Sequence, residues 1–416
     1  MTTKSSGRGR QVAGVLVLVV AGLGGAAYYG FHWRPSQERE VAVAANRQGD
    51  LLRAQGQIDE ALPFYLQAVA RQPDYAQAWS NVGVVHAAYE RFDKARAPLE
   101  RALQLAPELL EARVALSITL AGLGDFLAAE ESYKEALRLQ PDFAAVHYNL
   151  AYLYQQHGLY AAAAAEYRVA VRLQPDFLQA LANLGLVYDL QQNPGQAILT
   201  YQRALVVNPQ EGPVYARLGQ SYMKLSDHPQ ARGAFRKAID FGVERAQVYH
   251  DLGVISATEG KFEAARSYYH RALLCDPEDA DTYFRLGGVA EALGQPPEAA
   301  VDFYQQAVER DPTNTSARYA LAQHYLRQGR VQDGQQMMQL FAHFKEYEGR
   351  LPEFKRAVAQ DARDPQAAYG LALLHLEFER VPEAVEVLRR IVQLAPDFAD
   401  ARTKLSELEA APARAG

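Results

Sequence analysis

The chain has 416 residues, 49% of them hydrophobic, with a net charge of −6 and a single cysteine, Cys275. That mixture supplies a core and excludes a disordered chain. An acidic balance without a run of Lys and Arg in the body argues against nucleic-acid binding, and one cysteine excludes an intramolecular disulfide or a cysteine-rich zinc site.

Residues 1–11 form a short basic tail carrying Lys4, Arg8 and Arg10. From Val12 to Trp33 there is no Asp, Glu, Lys or Arg. A helix over 12–33 spans roughly 33 Å, enough for a hydrocarbon core about 30 Å thick. Tyr28, Tyr29, Phe31 and Trp33 suit the membrane interface. The segment therefore reads as one N-terminal transmembrane helix. The alternative is a cleaved signal peptide ending in the small residues Gly24 to Ala27. The basic residues before the span place the N-terminus in the cytoplasm and the body on the far side. With the Ala/Arg/Gly/Gln-rich composition, this fits a bacterial inner membrane with the body outside the cytoplasm. Residues 34–41 read as a linker.

From Ala42 the sequence repeats every 34 residues, and such a period is the mark of a stacked repeat architecture. Ala61, Ala95, Ala129, Ala163, Ala197, Ala231 and Ala265 share the twentieth position. Ala68 through Ala272 repeat at the twenty-seventh, and prolines such as Pro73, Pro107 and Pro141 close the units. Two helices approach closely only where side chains are small, which the Ala columns and Gly49, Gly83, Gly185, Gly219, Gly253 and Gly287 provide. Leu150, Leu184 and Leu218 on the first helix, and Tyr167, Tyr201 and Phe235 on the second, fill the gaps. Gly56, Gly124, Gly158, Gly260, Gly294 and Gly329 stand where the first helix ends and a positive φ is needed. Asp74, Asp142 and Asp176 suit helix caps. Cys275, at a position filled elsewhere by Leu, Val or Phe, reads as a buried small hydrophobe.

This pattern resembles the tetratricopeptide repeat family over roughly residues 42–396. The resemblance implies an all-α fold, a right-handed α-solenoid (superhelix) of about ten helix-turn-helix repeats, with a concave groove lined by the first helices. Nine tandem units occupy 42–341, a helical insertion 342–364, and a tenth unit 365–396. Phe341, Phe344, Tyr347, Leu351 and Phe354 recur at helical spacing in and before the insertion, which predicts a lengthened helix with a break and restart near Pro352. This stretch either packs on its neighbours or contacts a partner. Residues 397–409 read as an amphipathic capping helix, as solenoids require, and 410–416 as a disordered tail.

No metal-ligand spacing, phosphate loop or nucleophile elbow appears. The chain reads as a non-enzyme with no cofactor, no metal and no small-molecule substrate. Its expected partners are proteins or extended peptides, with the membrane contacted through the N-terminal segment. Sixth-position residues, which lie near the groove in the family, are Arg47, Asn81, Ala115, Asn149, Asn183, Arg217, Asp251 and Arg285. An Asn side chain bonds bidentately to a peptide amide, so Asn81, Asn149 and Asn183 form a candidate ladder, interrupted at Ala115. It resembles the asparagine ladder of the O-linked N-acetylglucosamine transferase family, although no transferase domain follows. Asn is also common at this position for structural reasons alone. Tyr148 and Tyr152, one turn apart, are candidate aromatic anchors or packing residues. Asn183 and Arg217 match part of the carboxylate clamp of co-chaperones in this family. Tyr148, Tyr152 and Pro213 occupy the other clamp positions, which argues against a chaperone-tail receptor. The expected function is a membrane-tethered scaffold. A soluble exported repeat protein and a regulatory subunit of an enzyme complex are the alternatives.

Overall fold

The computed structural model describes residues 37–410, and every regular element among them is an α-helix. The expected transmembrane segment at 12–33 lies outside the described residues. No helix among the described residues is long and apolar enough to cross a membrane.

The described chain forms two compact units, meeting in sequence at Pro141 and Asp142. The first contains α1 (37–54), α2 (Ile58–Arg71), α3 (Ala76–Ala88), α4 (Phe92–Leu105), α5 (Leu110–Gly122) and α6 (Phe126–Leu139). The linker expected at 34–41 is helical from residue 37 onward. Glu38 on this added turn pairs with Arg71 at 3.2 Å, which ties α1 to the end of α2.

The second unit opens with α7 (Ala144–Gln156), α8 (Tyr160–Leu173), α9 (Leu178–Leu190), α10 (Pro194–Val207), α11 (Gly212–Lys224) and α12 (His228–Asp240). It continues with α13 (Ala246–Thr258), α14 (Phe262–Cys275), α15 (Ala280–Ala292), α16 (Pro297–Arg310) and α17 (Thr315–Arg327). It ends with α18 (Val331–Gln360), α19 (Pro365–Glu377), α20 (Val381–Leu394) and α21 (Ala399–Ala410). Odd-numbered helices up to α19 are first helices of a pair and even-numbered ones are second helices.

Within a pair, the aromatic at the twenty-fourth position lies over the small residue at the eighth. Tyr167, Tyr201 and Phe235 are fully buried this way. Burying each such ring stabilises by about 1.5–3 kcal/mol, and the backbones can approach because the facing residue is Gly or Ala. The turn between helices has a fixed geometry. Gly56, Gly124, Gly158, Gly260 and Gly294 have positive φ there, and so do Glu90, Gln192 and Ser226 at the same repeat position. The packing therefore imposes the left-handed turn even where no glycine relieves it.

Three further expectations from the sequence need correction. Asp74, Asp142 and Asp176 do not cap: the N-cap positions of α3, α7 and α9 are Tyr75, Phe143 and Phe177, with no side-chain cap bond. The aromatic packs between helices, as Phe177 does 5.0 Å from Tyr148, and this moves the Asp one residue back into the turn. Side-chain caps form instead at Asp125, Asn193 and Asp227, before second helices, and at Asp279, Asn314 and Asp364, before the first helices α15, α17 and α19. Cys275 is exposed rather than buried, because the last residue of α14 has turned away from the interface.

The third concerns Pro352, which breaks nothing: α18 runs unbroken through it for 30 residues. A proline inside a helix forfeits a hydrogen bond and costs about 3 kcal/mol. Packing on both sides offsets that cost. Tyr347, Leu351 and Phe354 pack with Leu374 and Phe378, and Arg350 reaches Glu377 at 2.5 and 2.8 Å. The N-terminal half of the same helix sets Phe341 against Tyr319, 5.2 Å between ring centres. At the end of the array, α21 lays Leu405 and Leu408 on a core containing Leu388 and Ile391, covering an apolar face that the tenth pair leaves open.

Candidate protein-binding surface

The sixth-position side chains do not form one uniform row. In the first unit Asn81 is wholly buried. Its amide donates to Asn46 Oδ1 at 3.0 Å and to Asp50 Oδ1 at 3.1 Å, and Tyr65 Oη donates to the same Asp50 oxygen at 2.9 Å. Asn81 is thus an internal strut, and Ala115 at the next position is buried as well. The expectation that Asn81 is presented to a peptide does not match its surroundings: the helix pair closes over it, and its donors are engaged.

In the second unit α7 and α9 place Tyr148, Asn149, Tyr152 and Asn183 together. Tyr148 is half-buried, its ring 5.6 Å from Tyr167 and 5.0 Å from Phe177. Its hydroxyl accepts a bond from Asn183 Nδ2 at 3.1 Å, and burial raises its pKa. Tyr148 and Asn183 are therefore tied to each other and to the core. Asn149 differs: it is partly exposed and its amide meets no hydrogen-bonding partner among the described residues. Tyr152, three residues on, keeps 46% of its surface exposed. Arg217 on α11 is half-buried beside Tyr201, whose hydroxyl it approaches.

Further along, the sixth-position residues are acidic and basic by turns. Asp251 accepts from Gln247 Nε2 at 2.9 Å. Burial, with Asp281 nearby, raises its pKa to about 6, opposed by the Gln247 bond and by His250. His250 Nδ1 lies 2.8 Å from Thr282 Oγ1, and its Nε2 lies 3.2 Å from Asp281. Those contacts and Arg285 hold the Asp281 carboxylate below its usual range despite burial. Among the described residues no cluster of His, Cys, Asp or Glu is arranged to hold a metal ion.

Sequence reasoning missed Asp189. It is buried at the end of α9 and accepts from Tyr201 Oη at 3.2 Å, Ser221 Oγ at 2.7 Å and Lys224 Nζ at 3.0 Å. These bonds knit three successive helices. The one available signal was an acid at a position where the repeat turns toward its neighbour, and periodicity does not distinguish that from a solvated one.

Models of the tetratricopeptide repeat match residues 40–108, 114–176, 154–216, 251–315, 297–341 and 351–399, which is most of the described chain. The chain belongs to the tetratricopeptide repeat family. Human protein O-mannosyl-transferase TMTC1 is 37% identical over 75 residues, which are 18% of this chain and 8% of that protein. The chain thus matches only a small part of that relative's length. Among solved structures, Pseudomonas aeruginosa PilF aligns at 22% identity and a TM-score of 0.43, over 49% of this chain and 92% of that one. A tetratricopeptide repeat protein from Parabacteroides merdae aligns at 14% identity and a TM-score of 0.44, over 65% of this chain and 99% of that one.

Proposed function

We propose that this tetratricopeptide repeat chain is a non-catalytic scaffold that binds partner proteins or extended peptides through the surface around Asn149 and Tyr152. We further propose that residues 12–33 tether it to a membrane, with the repeats outside the cytoplasm. The observation that carries the binding reading is the contrast within α7. Tyr148 is consumed by packing, while Asn149 holds a free, half-desolvated amide beside the exposed Tyr152 ring. An unpaired amide next to an aromatic face suits a peptide backbone: the amide bonds donor and acceptor together, and the ring supplies an anchor. Asn183 and Tyr148 set the position of that pair rather than contacting the partner first.

A photocrosslinking residue placed at Tyr152 in the full-length protein, in its own cells, tests this. Discrete adducts from position 152 that disappear with Asn149→Ala are expected, and none from Leu274, an exposed apolar residue on α14. Identical adducts from both positions, or none from 152, would reject the surface. The tether is tested separately by the mass of the N-terminal peptide in the membrane fraction. An intact 12–33 segment supports an anchor, and a chain beginning near Ala27 or Tyr28 makes it a cleaved signal.

A further inference from the structure

The second helix α10 presents an unusual outer face. Leu199 and Val206, seven residues apart and so on one stripe of the helix, are 55% and 83% exposed. The same two repeat positions hold Ala97 and Gln104 on α4, Glu131 and Arg138 on α6, Gly233 and Asp240 on α12, and Ser267 and the exposed Leu274 on α14, so that of these helices α10 alone carries a large apolar residue at both. Between α8 and α10 lies a furrow of ≈ 610 Å³, floored by Leu184 and Tyr188 of α9 and walled by Leu199 and Val206. Its rim carries Arg168 and Arg203, both exposed.

Charge on this face runs against the rest of the chain. The protein is −6 overall, yet α8, α10 and α12 together hold six Arg or Lys, of which Arg232 pairs with Glu259, and two acids, Glu166 and Asp240. α10 has no acid at all, and Glu166 is engaged with His147 at 2.6 Å. Elsewhere second helices neutralise their own cations, as Arg96 with Glu100 on α4 and Arg266 with Glu263 on α14. Arg168 and Arg203 have no carboxylate partner among the described residues. An apolar furrow between two helices is shaped for a third helix, and a rim of one unneutralised sign selects its charge.

We propose that the α8–α10 furrow is a second docking site, separate from the Asn149–Tyr152 surface, for an acidic amphipathic helix of a partner protein. The partner's apolar stripe lies along Leu199 and Val206, and its carboxylates meet Arg168 and Arg203.

The test uses the full-length protein and two labelled synthetic helices of about 18 residues, long enough to hold helical structure on a surface. Both carry Leu at positions i, i+3, i+4 and i+7; one is otherwise Glu-rich, the other Lys-rich. The protein should bind the Glu peptide and not the Lys peptide. Combining Arg168→Glu with Arg203→Glu should weaken the Glu peptide roughly tenfold and create binding of the Lys peptide. Val206→Ser should weaken the Glu peptide with helical content unchanged. A combined Asn149→Ala and Tyr152→Ala variant should bind it as the wild type does, which separates this site from the proposed peptide surface. Equal affinity for both peptides, no binding, or indifference to the charge reversals would overturn the proposal. So would failure of the Glu peptide alongside binding to phosphatidylglycerol vesicles that depends on Arg168 and Arg203, since the face would then be a lipid contact.

Discussion

Phe235 lies against the backbone of Gly219, so that a β-carbon added to the glycine would stand 2.5 Å from the ring's Cε1. The same relation joins Gly253 to Tyr269, also at 2.5 Å. The interface is therefore already at contact, and one methyl group exceeds the space.

Gly219→Ala is expected to destabilise the chain by about 1–2 kcal/mol, because overpacking of roughly 1–3 kcal/mol outweighs the gain in helix propensity. Gly233→Ala serves as the counterpart. It sits inside α12 with no atom within 4 Å of an added β-carbon, so the propensity gain of about 0.5–1 kcal/mol should appear as stabilisation. Urea unfolding of both variants distinguishes them, and equal signs would mean that the ring at Gly219 can move aside.

Glu90 occupies the turn with φ 54°, a region that disfavours side chains by roughly 1–2 kcal/mol. Glu90→Gly should therefore raise the midpoint of unfolding by an amount equivalent to about 1 kcal/mol. The same exchange reversed, Gly56→Glu at φ 79°, should lower it by a similar amount.

Asp189→Ala leaves Tyr201, Ser221 and Lys224 without their common acceptor. Removing one member of a buried, charge-assisted network costs about 2–4 kcal/mol. Hydrogen exchange should show the loss concentrated in α9, α10 and α11. A cost below about 0.5 kcal/mol would show that water replaces the carboxylate freely.

Asn149→Ala and Asn183→Ala should behave differently. Asn183 donates to Tyr148, so its loss should cost stability of about 1 kcal/mol and disturb binding indirectly. Asn149 has no such partner, so its loss should leave thermal unfolding unchanged and weaken partner binding. Calorimetry on both variants, with the partner captured at position 152, reads the two effects apart.

Asp251 provides a pH-dependent prediction. Its folded pKa, about 6, exceeds the unfolded value near 3.9, so folding favours the protonated acid. Gln247 and His250 of its own helix, Asp281 and Arg285 of α15 and Tyr269 of α14 surround it. The contribution is complete below about pH 4 and is lost as pH rises through about 6. Asp251→Asn should thus change little in acid and stabilise at pH 7 by on the order of 1–3 kcal/mol. Parallel denaturation curves for the variant and wild type from pH 4 to 8 would contradict this.

Much of the architecture was legible in the sequence because a repeat reports its own packing many times over. The Ala and Gly columns, the Tyr and Phe column opposite them, and the turn glycines each answer a steric demand that recurs every 34 residues. What periodicity could not read were positions where one residue type serves opposite ends. Asn81 and Asn149 occupy the same place in the repeat, yet the first has its donors bound inside and the second does not. The difference lies in residues of neighbouring helices, Asn46 and Asp50, that happen to meet one and not the other. Pro352 reads as a break in isolation, but contacts with Phe378 and Glu377 from the next pair keep the helix continuous through it.

The sequence by itself determined the helix pairs, their order, their close-packed faces and the family to which they belong, since those follow from side-chain size at fixed spacing. Only the tertiary structure decided which polar groups remain free, which acids share protons and donors, and where an apolar stripe such as Leu199 and Val206 is left uncovered. These depend on distances between residues one or more repeats apart, and local spacing carries no record of them.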